Sequence, residues 1–279
     1  MTGASRESRV PFRLPGERQP LILLPVTVNG YGPSSFVLDT GAGLNLITRR
    51  LASLSGIEAA EVRRGVGAAG AVTLDLGVAD TFRVGDTSLR GLRIGITDEL
   101  LRIGATVGAQ IDGVVGYNFL QRFCLSIDYR RRFVTLTCSV AMTGSAPGEA
   151  TPFRLAAPDK PLVLVDAFVN EEGPFRFVLD TGASTTAVSG EVASRLGLRR
   201  AAMPAVTGGG GVITAGAARV DSIRLGIGAA GPLDLVVTDA TEHISRTLGE
   251  SIDGILGYNF LSNFAVVIDY LSSVISLND

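Results

Sequence analysis

Seven residues, Phe36-Val37-Leu38-Asp39-Thr40-Gly41-Ala42, return unchanged 141 positions later as Phe177-Val178-Leu179-Asp180-Thr181-Gly182-Ala183. A second stretch, Ile111-Asp112-Gly113-Val114-Val115-Gly116-Tyr117-Asn118-Phe119-Leu120, returns at the same offset as Ile252-Asp253-Gly254-Ile255-Leu256-Gly257-Tyr258-Asn259-Phe260-Leu261. Pro11-Phe12-Arg13-Leu14 and Pro152-Phe153-Arg154-Leu155 keep that register, as do Ile127-Asp128-Tyr129 and Ile268-Asp269-Tyr270. One register held over so long a span marks a duplicated unit and not a short-period solenoid. The chain of 279 residues therefore divides into a first lobe, 9–138, and a second, 152–279. The segment between, 139–151, holds Gly144, Ser145, Pro147 and Gly148 and reads as a linker.

Within each copy the pattern is mostly strand. Leu21 to Val28 and Leu162 to Val169 are apolar, β-branched runs ending at Asn29-Gly30 and at Asn170-Glu171-Glu172-Gly173, which are turn sequences. Phe36 to Leu38 and Phe177 to Leu179 are short apolar runs that enter the Asp-Thr-Gly turns. Short helices are expected near Thr48 to Ser55 and Ser189 to Leu196, the second ended by Gly197. Gly65 to Gly70 and Gly208 to Gly211 lie between strand-forming residues, as hairpin tips do. Arg130-Arg131-Arg132 is a solvated turn between apolar strands. A hairpin centred on Arg131 would set Cys124 opposite Cys138, at the spacing of about 4.5–5.5 Å that a disulfide tolerates. The expected fold is all-β, with one or two short helices per lobe.

Composition removes several classes of function. Hydrophobic residues make up 46% and charged residues 19%, which excludes wholesale disorder. A net charge of −2 provides no basic field, so neither nucleic acid nor an anionic membrane surface is an expected partner. His243 is the only histidine and there are two cysteines, too few for a structural zinc site; no metal or cofactor is expected. No run reaches the roughly 18 apolar residues that span a bilayer. Residues 1–20 lack the apolar stretch of a signal peptide, which fits the cytoplasm as written and a periplasmic or secreted protein if a leader was trimmed. Lys160 is the only lysine among many arginines, a bias that suggests a GC-rich bacterial genome.

The order of these motifs resembles the aspartic peptidases. An apolar strand, Asp-Thr-Gly-Ala, a Gly-rich hairpin and then two apolar residues with Gly is the arrangement of a retropepsin subunit, here present twice. The tail Val114-Val115-Gly116-Tyr117-Asn118-Phe119-Leu120 is similar to retropepsins, whereas the leading Asp112-Gly113 and Asp253-Gly254 are similar to a turn in pepsins. The resemblance implies two pseudo-two-fold-related β-barrel lobes. It also implies peptide-bond hydrolysis by a water held between Asp39 and Asp180, one from each lobe. Two carboxylates in contact cannot both ionise readily, so they share a proton and titrate as a pair. Gly41 and Gly182 permit a tight turn and bring backbone N–H groups to the carboxylates. By resemblance, Thr40 and Thr181 hydrogen-bond across the lobe interface. The same resemblance implies that Ser184 can donate to Asp180, while Gly43 at the matching position has no side chain to do the same for Asp39.

The other repeated aspartates have simpler readings. Asp112 and Asp253 precede glycine, where Asp forms turns, and Asp128 and Asp269 lie beside expected hairpin turns. The glycine runs, with Gly67, Ala68, Ala69 and Gly70 in one and Gly208, Gly209, Gly210 and Gly211 in the other, are expected flaps over a peptide. No Gly-Lys-Ser/Thr follows either, which argues against a phosphate loop. Neither run carries the tyrosine of a pepsin flap, which favours two retropepsin-like flaps. Val114, Val115, Ile255, Leu256, Val72 and Ile213 are the expected apolar walls of the cleft. His243 has Arg102 as its repeat counterpart and is expected in a surface loop. The resulting expectation is an aspartic endopeptidase that acts on polypeptides as a monomer. The alternative is a catalytically silent peptide-binding or scaffolding module of the same fold.

Overall fold

A computed structural model describes residues 7–16, 20–67, 70–138, 150–158 and 160–279. Each lobe begins with a hairpin whose turn is set by its residues. Leu23–Val28 pairs with Tyr31–Leu38 across Asn29 and Gly30, whose φ values are 49° and 81°. Lys160–Val169 and Glu172–Leu179 repeat it, with Asn170 and Glu171 at positive φ. The apolar residues of these runs supply the core: Leu24, Val26, Phe36 and Leu38 in the first lobe, Val163, Val165, Phe177 and Leu179 in the second. Buried Phe36, Phe82 and Phe119 stack edge-on or tilted at centroid distances of 5.6 and 5.3 Å.

The two motifs read from the sequence become adjacent strands. Gly113–Val115 lies between Tyr31–Leu38, parallel to it, and Asn45–Ile47, antiparallel to it. Thr87–Ile96 continues from Asn45–Ile47, Gly70–Val84 follows, and the pairing of Leu23–Val28 with Gly70–Val84 closes six strands into a barrel. The second lobe repeats the order, with the long strand broken into Ala215–Val220 and Ile223–Leu225. The fold is therefore mostly β, in two tandem lobes of one kind.

A six-stranded antiparallel sheet joins the lobes: Glu7–Pro11, Phe133–Cys138, Phe123–Asp128, Ala265–Asp269, Val274–Asn278 and Ala150–Pro152. At its centre Ser126 faces Val267, its own counterpart in the repeat, so the pseudo-two-fold axis passes between them. Of the expected linker 139–151, residues 139–149 lie outside those described.

The helices Arg49–Leu54 and Gly190–Arg195 stand where the sequence suggests. Thr48 and Ser189 cap them by accepting the N–H of Leu51 and Val192. Two four-residue helices, Tyr117–Leu120 and Tyr258–Leu261, follow the second motif of each copy. Two longer ones, Glu99–Val107 and Ala240–Leu248, were not legible as helices. The second corrects the reading of His243, which lies on this amphipathic helix, half-buried, and not in a surface loop. None of the helices described is long and apolar enough to cross a membrane.

The cysteine reading is also overturned. The last pair of the hairpin is Asp128 with Phe133, which leaves a four-residue turn, Tyr129 to Arg132. Asp128 Oδ1 accepts the Arg131 N–H, and Arg132 adopts φ 58°. The register slips by one, so Cys124 faces Thr137 and Cys138 faces Phe123; both thiols are free. A one-residue slip sends the two side chains to opposite faces. Burial and the charge of Asp269 push the Cys124 thiol up to about 11, while Cys138 is exposed. Alkylation of the native protein at pH 8 should label Cys138 first and Cys124 at least about tenfold more slowly. Peptide mapping of a time course checks the order, and a mass loss of two hydrogens before reduction would contradict the free thiols.

Candidate active site

Asp39 and Asp180 leave the ends of Tyr31–Leu38 and Glu172–Leu179, each tied by its backbone N–H to the neighbouring strand. Asp39 donates to the Val115 carbonyl and Asp180 to the Leu256 carbonyl, both at 3.0 Å. The turns that follow are held by threonines reaching across the lobe boundary. The Thr40 hydroxyl accepts the Thr181 N–H at 3.0 Å and donates to the Leu179 carbonyl at 2.8 Å. The Thr181 hydroxyl accepts the Thr40 N–H at 3.1 Å and donates to the Leu38 carbonyl at 2.8 Å. Both threonines are buried, so these four bonds form away from water.

Each carboxylate is then met by backbone. Gly41 N–H donates to Asp39 Oδ1 and Gly182 N–H to Asp180 Oδ1, both at 2.8 Å. The same glycines let the lobes close. A Cβ at Gly41 would lie 2.8 Å from Asp180 Cγ, and one at Gly182 would lie 2.6 Å from Asp39 Cγ. Either methyl would push the two carboxyl groups apart.

Burial raises both carboxyls above the usual range. For Asp39 the charge of Asp180 and the hydrogen bond between them add to the rise, while the N–H groups of Gly41 and Ala42 oppose it. For Asp180 the hydrogen bond from Asp39 and the N–H groups of Gly182, Ala183 and Gly41 oppose the rise. Both shifts favour the protonated form, so the pair gives up its protons less readily than isolated carboxyls do. Ser184 takes no part: among the described residues it makes no hydrogen bond to Asp180, whose donors are backbone groups and Asp39.

Glu61–Gly67 with Gly70–Val84 and Val206–Gly208 with Gly211–Ile213 form two hairpins whose tips touch. A Cβ at Gly67 would lie 2.3 Å from the Gly209 oxygen, and one at Gly210 would lie 2.5 Å from the Gly70 oxygen. The tips are glycine because backbone meets backbone there. Ala68 and Ala69 lie outside the described residues. The expected cleft walls need correction, since Val114, Val115, Ile255 and Leu256 are buried in the lobes. Alternation along their strands sends these side chains inward to the core clusters on either face. Val72 and Ile213, on the hairpins, are half-buried.

The remaining aspartates fasten the frame. Asp112 Oδ2 accepts the Ser35 N–H at 2.9 Å and Asp253 Oδ2 the Arg176 N–H at 2.7 Å, which locks the second motif to the strand carrying each site aspartate. Asp269 Oδ1 accepts the N–H groups of Leu271 and Ser272 in its turn. Two repeated features carried more than the sequence reading gave them. Asn118 Oδ1 accepts the Asn45 N–H and Asn259 Oδ1 the Thr186 N–H, bracing the loop just past each Asp-Thr-Gly turn. Tyr117 packs on Tyr270 and Tyr129 on Tyr258, edge to face across the lobes at 5.6 and 5.4 Å.

Comparison with known families finds a match to the family described as Aspartyl protease, twice, over residues 24–119 and 165–260. Both ends of the second match are displaced by the repeat offset. A search of curated proteins finds no match.

Two outcomes follow from this geometry. Thr40→Val keeps the shape but strands the Thr181 N–H and the Leu179 carbonyl, and should cost about 2–5 kcal/mol in chemical denaturation. A loss below 0.5 kcal/mol would show that the cross-lobe bonds carry little. The raised carboxyls make the folded state hold a proton that the unfolded chain has released. Ionisation therefore works against folding as pH rises from about 3.9, the unfolded Asp value, through the raised one. Asp39→Asn, which cannot ionise, should be more stable than the parent at pH 7 and lose the advantage below about pH 4. Melts at the two pH values check this, and an equal difference at both would contradict the burial of the pair.

Proposed function

Since the chain belongs to the aspartyl protease family over both of its lobes, we propose that it is an endopeptidase whose catalytic residues are Asp39 and Asp180. The observation that carries this reading is the pair itself: two half-buried carboxyls from different lobes, hydrogen-bonded to each other, with both pKa values raised. A water bound between them meets one ionised and one protonated group. The ionised carboxylate takes a proton from the water as its oxygen attacks the peptide carbonyl carbon, and the protonated carboxyl donates to the carbonyl oxygen. The tetrahedral diol then collapses: the C–N bond breaks, the amide nitrogen gains a proton from one Asp, and a diol hydroxyl returns one to the other. The products are a carboxyl and an amine terminus, and the dyad is restored.

The rest of the molecule supports polypeptide as substrate. Two hairpins, one from each lobe, meet tip to tip, which suits flaps that close over an extended chain bound at the pair and shield it from water. Both carboxylates come from one chain, so a monomer contains the complete dyad. Thr40, Gly41, Thr181 and Gly182 position the carboxylates in this reading, while Ser184 is a neighbour without a role in their charge.

Incubation with a diverse peptide library, with an aspartic-protease inhibitor as control, tests the proposal. Asp39→Asn and Asp180→Asn should each lower cleavage by about a thousandfold or more while the fold persists. Activity should fall as pH rises through the raised carboxyl value, because the second ionisation removes the general acid. Cleavage near the parent rate by either folded variant would overturn the assignment.

A further inference from the structure

The helices Glu99–Val107 and Ala240–Leu248 occupy matched places in the two lobes but carry different side chains toward the hairpins. The first packs on its lobe through Leu100, Ile103 and Val107, against Leu21, Leu23 and Val37. Arg102, on the same helix, reaches across the cleft: its Nη2 donates to the Gly208 carbonyl at 3.2 Å. Gly208 closes the last pair of the second lobe's hairpin, opposite Gly211. The same guanidinium is ion-paired with Glu99, one turn earlier on the helix. A planar fork with several N–H groups can serve a carboxylate and a carbonyl together.

We propose that Arg102 is a cross-lobe latch that holds the second lobe's hairpin, and that the first lobe's hairpin has no equivalent among the described residues. The repeat register maps Gly208 onto Gly67, Arg102 onto His243 and Glu99 onto Ala240. At the matching position the helix of the second lobe thus carries a shorter side chain and no carboxylate to steer it. The imidazole Nε2 of His243 is buried and has no hydrogen-bond partner among the described residues. The duplication keeps the backbone frame, and divergence leaves it with a single fastening. Enclosure of substrate by the latch rests on the peptidase reading; the latch itself is a contact of the free protein, so it is tested without substrate or turnover.

Hydrogen–deuterium exchange of the full chain is the measurement. Arg102→Ala should speed uptake over 206–213 by roughly three- to tenfold, the range expected for one ordinary, partly exposed hydrogen bond. The change over 61–67 should be smaller, and the core strands 36–38 and 113–115 should not change. Arg102→Lys, a point charge without the fork, should give an intermediate rate. Ala240→Glu with His243→Arg should rebuild the latch on the other side and slow uptake over 61–67. Unchanged uptake over 206–213 in Arg102→Ala would overturn the proposal, as would a rise shared equally with the core strands. A folded double variant with no slowing over 61–67 would overturn the claim that the helix position and this residue pair make the latch.

Discussion

Four hydrogen bonds between Thr40 and Thr181 and the chain across from them are what the rest of the structure depends on. Each hydroxyl accepts one N–H and donates to one carbonyl of the other lobe, so each lobe completes the other's turn. A buried N–H or carbonyl left alone is costly, which means neither turn is satisfied by itself. The lobes therefore meet at one relative position and not over a range. That position brings two carboxyls close enough to share a proton, a state burial would otherwise forbid to either as an anion.

The joint is reinforced at three levels, all generated by the same duplication. Below it, Ser126 faces Val267 in the central sheet, so the strands register the two lobes along the pseudo-two-fold axis. Beside it, the crossed tyrosine pairs add aromatic contact on each side. Behind each turn, Asp112 and Asp253 clamp the second motif to the strand that presents the first. A two-fold frame of this kind is economical in sequence: one set of residue choices, copied, yields complementary surfaces, because what one lobe offers the other is built to accept.

Much of this was legible before any coordinates, and the reason lies in which features sequence encodes directly. The repeat identified the lobes, and the two Asp-Thr-Gly turns identified the residues that meet between them, because backbone geometry there admits few alternatives. The cysteine register was missed by one residue because turn length depended on Arg132 accepting a positive φ, which a non-glycine residue does not advertise. The helix Glu99–Val107 was missed because Gly104 and the β-branched Ile103, Thr106 and Val107 depress its intrinsic propensity. Packing of Leu100 against Leu21 and Leu23 outweighs that preference. The cleft walls failed for a different reason. Val114 and Ile255 sit near the aspartates in sequence pattern, but their strands turn them into clusters beneath the two longer helices.

Comparison of the two copies position by position separates what the frame requires from what each lobe has been free to change. Gly116 N–H donates to Asn45 Oδ1 at 2.7 Å, and Gly257 N–H donates to Thr186 Oγ1 at 3.1 Å. The acceptor is kept while the residue type changes, so the requirement is a single oxygen at that point. Asn45 meets it with a side chain that carries a surplus: its Nδ2 is buried without a partner among the described residues, whereas threonine brings no such group. Ser184 and Gly43 show the opposite case, a side chain gained or lost with no hydrogen bond to the dyad at stake, because the backbone supplies the donors in both lobes. The charge state of the pair is thus set by features the duplication holds fixed. Side chains that differ between copies act farther out, where Arg102 bonds to a hairpin carbonyl and the His243 Nε2 has no hydrogen-bond partner among the described residues. A duplicated chain can in this way keep a symmetric centre and still tie its two hairpins unequally.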